Sequence, residues 1–89
     1  MRFIFNPDHS TANKTRHGID FVTAQALWLD PFFVEVPVKE TDENRAVVIG
    51  RMGGDIWSAS VIYQGKNVRP QAVRKSTAKE IEIYERNTI

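Results

Sequence analysis

Six basic residues, Arg45, Arg51, Lys66, Arg69, Arg74 and Lys75, stand against a single acid, Asp55, between positions 45 and 75. Arginine suits phosphate because its planar fork offers paired donors to two oxygens and keeps its charge at any physiological pH. A strongly positive segment in a chain of net charge +1 can serve as an electrostatic footprint for phosphate. The same residues also suit a solvated sheet face whose long basic side chains guard its edges. Composition leaves both readings open.

Arg74 is the first choice for a phosphate ligand. It closes a β-type run, stands beside Lys75, and comes just before a helix start, where free backbone N–H groups favour an anion. The competing assignment pairs it with Glu80 or Glu82. Arg45 and Arg51, six residues apart on one strand, would share a face about 20 Å apart and track successive phosphates, or else stand as solvated strand-end arginines. His17 titrates near neutrality and could move a proton, but a histidine ending a helix also caps carbonyls and gains from the helix dipole. His9 falls in an exposed, polar first turn. Tyr84 could offer a phenol, yet with Ile81 it fits a core-facing stripe, and Glu80 is better explained as a helix cap.

Other chemistries find no foothold. There is no cysteine, hence no disulfide framework, Cys-ligated zinc or thiol chemistry. His9 and His17, with Asp8 and Asp20, lack the spacing that converges on one ion, so no metal is expected. Gly50, Gly53 and Gly54 sit in a hairpin rather than a strand–turn–helix phosphate loop, so no nucleotide cofactor is expected either. No apolar run approaches the roughly 20 residues of a membrane span. The opening apolar stretch is too short for a signal peptide. A single cytoplasmic domain over residues 1–89 is the expectation.

The elements that would position these residues follow from the pattern. Asn6 caps a helix with Pro7 in its first turn; the helix runs to His17 and stops at Gly18, although it is polar nearly all round. Asp20 caps a second helix over Phe21–Leu29, which Asp30-Pro31 ends. Strands are expected over Phe33–Val38, Arg45–Arg51, Ile56–Tyr63 and Val68–Arg74, with Pro37 and Pro70 marking edges or bulges. Thr77 and Glu80 form a capping box for a last helix over Ala78–Arg86. Arg2-Phe3-Ile4-Phe5 reads as a short strand or an apolar lead-in. The fold class is α+β: two N-terminal helices, a four-stranded antiparallel meander and a C-terminal helix.

Several ordered runs resemble the BrnT toxin family: Asn13-Lys14-x-Arg16-His17-Gly18-Ile19-Asp20-Phe21, then Ala24 and Trp28-Leu29-Asp30-Pro31, then Asp42-Glu43-x-Arg45 through Ile49-Gly50-Arg51. Val68-Arg69 and Arg74-Lys75, with Glu80 and Tyr84-Glu85, resemble that family's last strand and helix. The resemblance implies a RelE-like fold and a type II toxin that cleaves RNA without the ribosome. It also implies a BrnA-like ribbon-helix-helix antitoxin as partner, with operator DNA reached only through the complex. RNA can be cut without a metal when its own 2′-OH attacks the phosphate. In that frame Arg74, Arg51 and Arg45 would stabilise the phosphorane and bind its neighbours, His17 and Tyr84 would move protons, and Lys75, Arg69 and Lys66 would hold RNA. Ala72 stands where serine is common in the family, and Pro70 interrupts the strand; both motivate the alternative of a toxin-like module that binds antitoxin or RNA without cutting.

Overall fold

In the computed structural model, residues 1–87 are described. The order is β1 (Arg2–Phe3), α1 (Pro7–His17), α2 (Phe21–Ala24), a 3-10 turn (Gln25–Leu29), β2 (Val34–Val38), β3 (Arg45–Met52), β4 (Asp55–Gln64), β5 (Asn67–Lys75) and α3 (Ala78–Asn87). Strands β2 to β5 form the expected antiparallel meander. The sheet nevertheless has five strands and is mixed, in the order β1-β5-β4-β3-β2, because β1 pairs parallel with β5 at Asn67 and Val68. The cause is local. Phe3 seats its ring edge-on against Trp28 at 4.8 Å, and this lays the lead-in backbone along β5, where Ile4 N–H donates to the Val68 carbonyl at 2.9 Å.

The second helix is also shorter than its apolar stripe suggests. It tightens after Ala24 into 3-10 geometry, which Asp30 N–H closes on the Leu27 carbonyl at 3.2 Å. Leu27 is fully buried there, with its carbonyl so close to β3 that a Cβ on Gly50 would approach it to 3.2 Å. Glycine is what lets this turn lie on the sheet.

Core side chains from β3, β4 and β5 (Val48, Ala59, Val61, Val68, Val73) meet Ile19, Phe21, Ala24 and Leu27 on one face of the sheet. Helix α1 reaches this core through polar atoms, its buried residues being Ser10 and Asn13. Ser10 Oγ accepts Phe21 N–H at 2.9 Å. Asn13, 5% exposed, donates to the carbonyls of Ile19 (2.7 Å) and Val73 (2.9 Å) and accepts Val73 N–H at 3.1 Å. That explains how a helix with no apolar stripe can pack: it satisfies strand-edge backbone instead of burying hydrocarbon.

The prolines occupy the two kinds of place expected of them. Pro37 lies in β2, an outer strand of the sheet. Pro70 borders a bulge, since Ser60 pairs with Ala72 and Val61 with Pro70, leaving Gln71 as the extra residue. With that shift, Arg45, Val47, Ile49 and Arg51 of β3, Ser58 and Ser60 of β4, and Arg69, Ala72 and Arg74 of β5 share the face opposite the core.

Asn13→Ala is expected to lower the unfolding free energy by about 2–4 kcal/mol, because it strands the buried Val73 N–H together with two carbonyls. Urea denaturation tests this; a loss under about 1 kcal/mol would mean that the amide is not what joins α1 to β5.

Candidate active site

Helix α3 crosses the sheet face that carries the arginines, and two of its residues, one turn apart, take hold of that face. The first is Glu80. The capping box forms as its spacing demands: Glu80 N–H donates to Thr77 Oγ1 at 3.2 Å and Thr77 N–H donates to Glu80 Oε1 at 2.9 Å. The same carboxylate receives Arg74 through both terminal nitrogens, at 2.7 and 3.0 Å, and Ser58 Oγ at 3.0 Å; Ser58 and Ser76 hydroxyls lie 2.7 Å apart. Ser58 and Arg74 are cross-strand partners on β4 and β5. The Arg74 fork, helped by the Thr77 N–H and Ser58, outweighs burial and holds the Glu80 carboxyl down at about 2, while Glu80 in turn raises the Arg74 guanidinium further above its ordinary range.

The second is Tyr84. It is 3% exposed, and its hydroxyl donates to Asp30 Oδ2 at 2.6 Å. Arg51 lies over its ring at 5.8 Å, while Arg51 N–H donates to the same Asp30 oxygen at 2.7 Å. Burial opposes charge on Asp30, but hydrogen bonds from Tyr84, Arg51 N–H and Phe32 N–H, with the charge of Arg51, hold its carboxyl low. Burial and Asp30 push the Tyr84 phenol up. Asp30, Ser58 and Ser76 are members of this cluster that sequence patterning did not single out, since each acts through partners distant in the chain.

Arg74, Arg51 and Tyr84 are thus brought together. Arg74 remains partly open, its side chain 41% exposed. His17 is placed elsewhere, in a cleft of about 130 Å³ along β5 that is also lined by His9, Ala12, Asn13, Arg16, Gln71 and Ala72. His9 is exposed in the first turn of α1, as expected, and there it shares that cleft with His17 and packs its ring edge-on against Phe21 at 4.9 Å. Ala72 lines the cleft two residues before Arg74 on the same strand face, so the cleft borders the arginine face at that point.

Arg45 sits at the far end of β3, paired with Glu43 at 3.2 Å, and shares its row with Ile62 and Arg69. Lys75 is drawn to Asp55 (3.9 Å) and the Trp57 ring (6.0 Å). Lys66 is exposed in the β4–β5 turn. Among the described residues, no three His, Asp or Glu side chains are grouped to hold a metal ion.

Residues 5–80 match the family model of the ribonuclease toxin BrnT of type II toxin–antitoxin systems. The chain belongs to the BrnT family. No curated protein matches it. The BrnT match takes in His17, Asp30, Arg45, Arg51, Ser58, Arg74 and Glu80, whereas Tyr84 lies beyond it. As a BrnT toxin the chain has an antitoxin as its counterpart. No helix of this BrnT chain, among the described residues, is long and apolar enough to cross a membrane.

Glu80 is charged well below the pH at which an ordinary carboxyl titrates, so its contribution to stability is complete above about 4.5 and disappears as pH falls toward 2. Unfolding free energy is expected to drop across that window in the wild type. In Glu80→Gln the drop should be shallower, from a lower plateau at neutral pH. Urea midpoints measured from pH 7 to 2 check this, and parallel curves for the two proteins would contradict it.

Proposed function

We propose that this chain is a metal-independent, ribosome-independent endoribonuclease acting through attack of the substrate 2′-OH on the adjacent phosphate. The observation that carries the reading is the face shared by Arg45, Arg51, Arg69 and Arg74, with α3 fixing two of those arginines from above. Arg74 is the proposed ligand of the reacting phosphate. Glu80 occupies one hydrogen on each terminal nitrogen of its guanidinium and the Lys75 carbonyl takes a third at 3.4 Å, which leaves two of its five donors for phosphate oxygens. Glu80 is then a positioning residue: it holds the fork still and charged without using it up.

Arg51 is proposed to bind the neighbouring phosphate, with Arg45, Arg69, Lys66 and Lys75 tracking the strand beyond it. His17 is the proposed acid–base group, reaching the scissile position from the cleft beside Ala72. Tyr84, with its hydroxyl committed to Asp30, positions Arg51. A BrnA-like ribbon-helix-helix antitoxin is the proposed partner, repressing the shared operon together with the toxin. The site of action is the cytoplasm, and residues 1–89 act as one RelE-like toxin domain.

The competing reading, a module that binds RNA or antitoxin without cutting, draws on the carboxylate already seated in the Arg74 fork. Cleavage of a labelled, unstructured RNA in EDTA separates the two. The wild type is expected to leave 2′,3′-cyclic phosphate ends. Arg74→Ala should lose roughly a hundredfold or more in rate, and Arg74→Lys nearly as much, while both remain folded by circular dichroism. RNA bound but left intact by the folded wild type would establish the binding module instead. Undiminished cutting by Arg74→Ala would remove Arg74 from the mechanism.

A further inference from the structure

We infer that Phe32 is a stacking platform for an RNA base, set beside the phosphates that the arginine face would hold; the inference rests on the ribonuclease reading above. Phe32 is 53% exposed and Leu29, three residues earlier, is 83% exposed, whereas the adjacent Phe33 packs against the core. Leu29 and Phe32 flank Asp30, the carboxylate that also binds Arg51 and Tyr84. Neither side chain is needed for the core.

The position of Phe32 is built, not incidental. Phe33 N–H donates to the Asp30 carbonyl at 3.2 Å, which closes a four-residue turn with Pro31 and Phe32 at its two central positions. Proline fixes its own backbone angle there. Phe32 N–H is also held by Asp30 Oδ1 at 2.9 Å, while the other oxygen of that carboxylate holds Arg51 N–H at 2.7 Å and the Tyr84 hydroxyl at 2.6 Å. One carboxylate therefore ties the backbone that carries the exposed Phe32 ring to the backbone of Arg51, on the strand that contributes to the arginine face.

An exposed aromatic ring on the turn that Asp30 joins to the arginine face suits a single-stranded nucleotide, whose base stacks while its phosphate takes the charge. Stacking tolerates any base, so the platform would contribute affinity and register more than sequence preference. It would also favour unpaired RNA, because a base inside a duplex has no free face to offer.

The test uses a fluorescent single-stranded oligonucleotide with 2′-O-methyl sugars, which can bind but cannot be cut, followed by anisotropy in EDTA. A second probe carries the same backbone with abasic positions. Phe32→Ala is expected to weaken binding of the base-bearing probe about tenfold and to leave the abasic probe unaffected; Phe32→Trp should restore wild-type affinity. Equal affinity of wild type and Phe32→Ala for the base-bearing probe would overturn the platform alone, leaving the arginine face intact. The platform is likewise overturned if Phe32→Ala weakens binding of a purified antitoxin but not of RNA. A folded wild type that binds neither probe would overturn the ribonuclease reading and the platform with it.

Discussion

The side-chain amide of Asn13 carries much of the architecture. It treats Val73 as a neighbouring strand would, giving one hydrogen bond and taking another, and it uses its remaining N–H on Ile19. With those bonds, α1, the turn after it and β5 become one body, although α1 brings no apolar stripe to the contact. The same pairing satisfies part of a strand edge that β1, only two residues long, does not reach. Because Arg74 follows Val73 directly, the segment that presents it is held along its length by a buried amide.

A second pair of polar groups organises the opposite face. Glu80 and Asp30 are both carboxylates that stay charged while partly covered, and each collects several donors from different elements. Glu80 gathers β4, β5 and its own helix cap. Asp30 gathers the turn before β2, the end of β3 and the far turn of α3. The half-buried Arg74–Glu80 pair adds stability while Glu80 is charged, and it also fixes where Arg74 points. The chemistry open to this face depends on arginines that do not have to be ordered when substrate arrives.

What was legible in the sequence was what local physics decides. Asn6, Asp20, Gly18 and the Thr77–Glu80 box cap their helices as their residue types dictate. The antiparallel order of β2 to β5 followed from tight turns. What was illegible depended on contacts made across the chain. A strand of two residues carries no periodicity, so β1 and the parallel pairing it adds could be read only as a possible lead-in. Ser58 looks like any polar residue in an alternating strand until the register sets it against Arg74. Phe32 stands far from the basic residues along the chain because its link to Arg51 passes through the side chain of Asp30, 21 residues away in sequence from Arg51. The cleft that unites His9 with His17 takes its other wall from Gln71 and Ala72 at the β5 bulge, more than 50 residues further along the chain.

The chain separation of these contacts bears on when the protein can act. Asn13 and Val73 are 60 residues apart, Tyr84 and Asp30 are 54 apart, and β1 finds its partner only at Asn67 and Val68. Contacts of such long range form late, after the loops between them have closed. A nascent chain would thus carry its arginines without the helix that orders them until α3, which follows all of them, has itself emerged. Assembly of the arginine face therefore waits on α3, and no partner could meet that face whole before the helix is in place.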